Sequence, residues 1–207
     1  MDAKTCIQKL KYIASVSMAT VDKNGCPQVR TIGIMHVDVE QDEIYFLTAR
    51  GKDFYRELVD NKQVQVLGLS KYKEMIRMTG VPERVPSELQ KEWLDRLFDE
   101  NPYMNNVYPD ESRNILEVFF IGNGEIEYFN LGVHPIFRES YGFGKGIAKR
   151  KGYVISERCI GCGICKKNCP QGAISFKEKY YIREENCLHC GLCNENCPSE
   201  AVDRIKQ

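Results

Sequence analysis

The sequence predicts an α+β protein in two unequal parts: a mostly antiparallel amino-terminal β unit with a few helices (residues 1–131), and a small carboxy-terminal α+β module (residues 153–207). Three observations carry this. Short runs of β-branched and aromatic residues, bounded by turn residues, recur through residues 1–131 with only a few stretches of helical period among them. From Tyr153 onward the chain repeats itself at an interval of 28 residues. Between the two parts, residues 132–152 hold Gly142, Gly144, Gly146, Gly152 and the basic set Lys145, Lys149, Arg150 and Lys151 without a sustained apolar period, which predicts a linker. At 207 residues, one full core with a small appendage fits the length.

In chain order, residues 2–13 predict a short helix, and strands at 16–21 and 28–37 flank an Asn24-Gly25 hairpin turn. Further strands are predicted at 43–48, 64–69, 75–81, 116–121 and 125–129. Two helices interrupt them, at 52–59 and 87–98. The second opens on a Ser87-x-x-Gln90 capping box and carries Leu89, Trp93 and Leu97 at i, i+4 and i+8. Mostly antiparallel short strands with few helices predict a small closed barrel. Glu117, Glu125 and Glu127 flank the Asn123-Gly124 turn and are expected to face solvent.

Lysine plus arginine number 29 and aspartate plus glutamate 29, so bulk charge favours neither nucleic acid nor an anionic membrane. The longest uncharged stretch, residues 12–21, is broken by Ser15, Ser17 and Thr20 and falls far short of the roughly 20 apolar residues of a membrane span. It leads into a turn, as a strand does and a signal peptide does not, so a cytoplasmic location is expected.

Of ten cysteines, eight fall between Cys159 and Cys197; Cys6 and Cys26 lie outside and are expected to be small buried hydrophobes. Cys159, Cys162, Cys165, Cys169 and Pro170 recur as Cys187, Cys190, Cys193, Cys197 and Pro198. Each repeat reads C-x2-C-x2-C-x3-C-P, the run that ligates [4Fe-4S] clusters. A zinc site needs four ligands, commonly two separated pairs, and explains neither the third cysteine nor the C-P ending. From Tyr153 to Lys206 the sequence resembles the two-cluster bacterial ferredoxins. The resemblance implies that Cys159, Cys162, Cys165 and Cys197 bind one cluster while Cys187, Cys190, Cys193 and Cys169 bind the other. Gly161, Gly163 and Gly191 would let backbone amides approach the sulfurs.

In the amino-terminal part, Arg30-Thr31-Ile32 puts a guanidinium and a hydroxyl on a strand, and Thr48-Ala49-Arg50-Gly51-Lys52 ends another strand in a basic turn entering a helix. A phosphate suits this set: Arg offers a fork, Lys a point charge, Thr a donor and the helix start free amides. The order of hairpin, Arg30-Thr31 strand, Phe46-Leu47-Thr48 with Lys52, Lys62–Val66 strand, Gly80 strand and Leu116–Phe120 strand resembles the pyridoxamine 5'-phosphate oxidase-like family of FMN-binding split barrels. That resemblance implies an antiparallel split barrel and a homodimer with FMN in clefts at the subunit interface. Arg30, Thr31, Ile32, Thr48 and Lys52 would hold the phosphate and ribityl end, with Arg50 an additional candidate. Some members bind haem or deazaflavin instead, for which His36 and His134 are candidate axial ligands. The Thr48–Lys52 turn is short, Met75 stands where the oxidases place a flavin-contacting glutamine, and no carboxy-terminal Arg-Leu-x-x-Arg-like segment occurs, so pyridoxamine phosphate oxidation is not expected.

The expected function is an FMN-dependent oxidoreductase passing electrons between a flavin and two [4Fe-4S] clusters, with a small-molecule substrate or a redox protein as partner. The alternative is a non-catalytic electron carrier or redox sensor acting only with protein partners.

Overall fold

Helix α1 (Ala3–Ile13) starts because the Asp2 carboxylate accepts the Thr5 amide at 2.8 Å, and it packs through Cys6, Ile7 and Leu10. The computed structural model that shows this describes residues 1–206. Strands β1 (Ser15–Val21) and β2 (Pro27–Gly33) form the predicted hairpin in a register that sets Met18 opposite Arg30. Its turn is held by the Asp22 carboxylate, which accepts the amides of Asn24 at 2.8 Å and Cys26 at 2.9 Å, while Gly25 takes a φ of 81°. Cys26 is exposed there, unlike buried Cys6, because the turn leaves no apolar surface to cover it.

The single strand expected at 28–37 is divided. After β2 the Ile34 amide bonds to the Ala14 carbonyl and the Met35 amide to the Tyr45 carbonyl, which carries the chain into a different sheet at β3 (His36–Asp38). There follow β4 (Glu43–Ala49), α2 (Asp53–Asp60), β5 (Val64–Leu69), β6 (Glu74–Gly80), β7 (Glu83–Arg84), α3 (Gln90–Glu100) and the single-turn α4 (Met104–Val107). A 3-10 turn (Asp110–Ile115) leads into β8 (Leu116–Ile121), β9 (Gly124–Asn130) and β10 (Phe137–Phe143). The strands make a six-stranded sheet in the order β10-β9-β6-β5-β1-β2 and a four-stranded sheet in the order β3-β4-β8-β7. Strand β10 lies within the stretch read as a linker.

Helix α3 starts three residues later than predicted and without the capping box. Ser87 accepts a hydrogen bond from Arg84, and the Gln90 amide group is spent on the backbone of Val85 and Val118. Its buried face is Leu94, Leu97 and Phe98, whereas Leu89 is exposed. These side chains join Met35, Tyr45, Val85, Met104, Leu116 and Val118 in one apolar cluster. Glu117 and Glu127, expected in solvent, are buried. Glu117 is bound by Arg84 at 3.1 Å, Arg50 at 3.6 Å and the Tyr55 hydroxyl at 3.2 Å, and Glu127 faces Arg138 at 3.8 Å and Lys151 at 4.0 Å.

The chain divides into two units: residues 1–70, 76–126 and 141–148 form the first, and 71–75, 127–140 and 149–207 the second. The second holds β11 (Tyr153–Ile155), α5 (Ile164–Asn168), β12 (Ile174–Phe176), β13 (Tyr180–Ile182), α6 (Leu192–Glu195) and β14 (Val202–Arg204). Strand β11 pairs with β14 and β12 with β13, so the strand before the first cysteine motif is bonded to the strand after the second. Ile155, Ile174 and Val202 are the apolar centre, with Cys165 among them. Among the described residues, no helix is long and apolar enough to cross a membrane.

Candidate functional site

Strands β2 and β4, the start of α2, and α4 enclose a cleft of about 390 Å³, a size typical of small-molecule sites. Five of the six predicted residues line it: Arg30, Thr31, Ile32, Thr48 and Lys52. Arg50 does not. Strand β4 ends at Ala49, and the Arg50 guanidinium turns away to donate to the Asn114 carbonyl at 2.7 Å and to pair with Glu117.

The polar groups differ in their readiness. The Arg30 guanidinium is already taken: it pairs with buried Glu57 at 2.6 Å, donates to the Thr20 hydroxyl, and lies 4.5 Å over the Phe54 ring. Lys52 is exposed and has no ion-pair partner among the described residues. It is also the N-cap of α2, where no side chain caps the helix. The most telling group is Thr48. Its side chain is 3% exposed, lines the cleft, and its hydroxyl has no hydrogen-bond partner among the described residues. A buried hydroxyl left unsatisfied costs about 1–3 kcal/mol, which makes this atom a candidate contact for a ligand donor or acceptor.

The far wall comes from residues that sequence reasoning missed: Tyr103, Met104, Val107 and Tyr108, with Met35 and Leu47 between them and β4. The Tyr103 hydroxyl rests on the Met35 sulfur at 3.6 Å. His36, the candidate axial ligand, has both ring nitrogens engaged, Nδ1 with Glu100 at 2.8 Å and Nε2 with Arg96 at 3.1 Å; His134 is exposed.

In the second unit two apolar cavities are ringed by thiols. Cys159, Cys162, Cys165 and Cys197 line one, together with Ile155, Ile160 and Tyr180. Cys169, Cys187, Cys190 and Cys193 line the other, together with Tyr153, Ile182 and Leu192. All eight cysteines are free of disulfides, and no three His, Cys, Asp or Glu side chains among the described residues are grouped to hold one metal ion. In each cavity the fourth thiol comes from the opposite repeat, Cys197 beside the first three and Cys169 beside the second three. Backbone amides point at three of the sulfurs: Ala173 at Cys169 (3.3 Å), His189 at Cys187 (3.4 Å) and Ala201 at Cys197 (3.2 Å). Gly163 and Gly191 open α5 and α6 at φ values of 74° and 84°; a Cβ on either would come within 2.8 Å of the Tyr180 or Tyr153 hydroxyl. Burial raises the thiols of Cys165 and Cys187 and pushes Cys193 up to about 11, so ligation at these positions must release protons. Soft thiol donors, apolar walls and amide-to-sulfur contacts are what an iron–sulfur cluster requires.

Fold and thiol sets together define a split-barrel protein that carries an iron–sulfur module. The family model for pyridoxamine 5'-phosphate oxidase matches residues 4–120, more than half of the chain, and a 4Fe-4S dicluster domain matches residues 158–201. The chain belongs to the pyridoxamine 5'-phosphate oxidase family. Among solved structures, it is similar to a NimC/NimA family protein from Clostridium acetobutylicum at 21% identity and a TM-score of 0.56, over 68% of this chain and 92% of that one. A pyridoxamine 5'-phosphate oxidase-related, FMN-binding protein from Nostoc punctiforme gives 15% identity and a TM-score of 0.53, over 69% and 93%. A heme-binding protein from Mycobacterium smegmatis gives 14% and 0.52, over 68% of this chain and 57% of that one. At these identities the likeness is one of fold. Comparison with curated proteins yields no match.

Proposed function

We propose that this chain is an FMN-dependent oxidoreductase that passes electrons between a flavin in the cleft and two [4Fe-4S] clusters in the thiol cavities, and that it works as a homodimer. The observation that carries this reading is the unsatisfied Thr48 hydroxyl beside the free Lys52 cation, in one chain with two complete rings of four thiols. Bound FMN supplies the exchange between electron pairs and single electrons, and each cluster carries one electron at a time. The chain's own residues hold and orient. Lys52 and the Thr48 and Thr31 hydroxyls would take the phosphate and ribityl end, and Tyr103, Tyr108, Met35 and Leu47 give a mostly apolar wall suited to a ring system. This wall would position the ring system and exclude water. The dimer reading rests on β2, an outer strand of its sheet with Val29 68% exposed.

Two site variants test the cleft. Lys52→Ala removes a charge-assisted contact and is expected to weaken FMN binding by about 1.5–3 kcal/mol, roughly 10- to 150-fold, in a flavin fluorescence titration. Thr48→Val is expected to separate two quantities: the flavin-free protein melts at the same or a higher temperature, because a buried orphan hydroxyl is gone, while FMN affinity falls. If Thr48→Val binds FMN as tightly as the native chain, the hydroxyl is not a ligand contact.

The relay itself is tested on the whole chain. After anaerobic mixing with less than one equivalent of a one-electron donor, cluster bleaching should be followed by flavin reduction at a rate independent of protein concentration. A rate that rises in proportion to concentration would mean that electrons travel between molecules, and the relay would be refuted.

A further inference from the structure

Residues 28 apart occupy equivalent places in the two repeats, so their differences show what each thiol cavity faces. The cavity of Cys169, Cys187, Cys190 and Cys193 is covered by its own unit. His189, standing where the first repeat has Gly161, packs against Gly152 and meets Arg138. Gln171 accepts the Ile136 amide and Asn186 donates to the Ile136 carbonyl, both at 2.9 Å. The cavity of Cys159, Cys162, Cys165 and Cys197 has no such cover from this segment. Ile160 lines it and is 68% exposed, whereas its counterpart Leu188 is half-buried. Beside it, Lys166 and Lys167 are exposed, with no ion-pair partner among the described residues, where the second repeat has Asn194 and Glu195. Of the neighbouring charges, Arg158 is matched by Asp203 and Lys179 by Glu157, and the Glu200 carboxylate lies in the loop after Cys197.

We infer that this face is the docking site for an acidic one-electron redox protein, with Ile160 as its apolar centre and Lys166 and Lys167 as its cationic rim. The cluster of Cys159, Cys162, Cys165 and Cys197 is then the port, and that of Cys169, Cys187, Cys190 and Cys193 the inner station. The inference rests on the relay reading above. One electron leaves the partner's reduced centre and one arrives at the port cluster, with no bond made or broken. A small patch of this kind suits a transient electron-transfer encounter, in which charge sets the rate of approach more than the affinity.

The test uses the full-length anaerobic holoprotein and a reduced acidic flavodoxin as probe. The second-order rate of cluster reduction should fall as salt is raised, and Lys166→Glu with Lys167→Glu should lower the low-salt rate about 10-fold or more. Reversing the equivalent second-repeat charge, Glu195→Lys, should change it less than about two-fold, and reduction by dithionite should be the same in all three proteins. Carbodiimide cross-linking should join flavodoxin carboxylates to Lys166 and Lys167. Unchanged rates in the glutamate pair, or cross-links confined to Lys145–Lys151, would overturn the docking site. These readouts stop at the clusters, so a flavin that stays oxidised after cluster reduction would refute the relay while leaving the docking result intact.

Discussion

Replacing Cys197 with Ala is expected to empty the cavity of Cys159, Cys162 and Cys165 while the motif that contains Cys197 keeps its own cluster. The native chain should carry about eight iron and eight sulfide, and the variant about four of each. The reason is the crossed arrangement: Cys197 stands with the first three thiols, and Cys169 with Cys187, Cys190 and Cys193. Cys169→Ala should therefore give the mirror result. Iron and sulfide analysis, with electron paramagnetic resonance of the reduced protein to identify the surviving centre, reads both. Loss of the second-motif cluster in Cys197→Ala would show that each motif holds its own fourth ligand.

Arg30→Ala should do more damage to the fold than to the phosphate. Its guanidinium is the partner of Glu57, which is 7% exposed, and removing one member of a buried ion pair typically costs about 3–5 kcal/mol. A stability loss of that size should appear in denaturant or thermal unfolding of the flavin-free protein. Adding Glu57→Gln to Arg30→Ala should restore much of it, because the stranded charge is gone. If Arg30→Ala unfolds like the native chain and loses only FMN, the guanidinium is a ligand contact first and a structural pair second.

The features legible in the sequence are those written locally. The thiol rings follow from a ligand spacing repeated twice, and the cleft's near wall from side chains at the ends of two strong strands, Arg30 to Ile32 and Thr48. The far wall is invisible by the same standard. Tyr103, Met104, Val107 and Tyr108 sit in a single helical turn between Asn101-Pro102 and Pro109, too short to show a period. Strand β10 hides behind Arg138, Glu139, Ser140 and Gly142, a run whose polarity reads as connector. The misplaced carboxylates have a third cause. Glu117 and Glu127 are buried because Arg84, Arg50, Arg138 and Lys151 come to them, and none of these four cations is close in sequence to its carboxylate. Ser87 shows the converse: a local capping signature was outbid by backbone groups of Val85 and Val118 that claim Gln90.

Arg30, Thr31 and Ile32 stand on β2, a strand bonded on one side only, to β1. Alternation gives Arg30 and Ile32 one side of the strand and Thr31 the other, and all three line the cleft, so a slip of one residue along β1 would change which side chains reach it. The chemistry offered to a ligand is thus a readout of strand alignment, fixed by the Asp22 and Gly25 turn at one end and by the Ile34–Ala14 bond at the other. In the dissociated chain, amide hydrogen exchange along β2 should be faster than along β1, and it should slow over residues 30–33 when ligand binds and further when two copies meet at this open sheet margin.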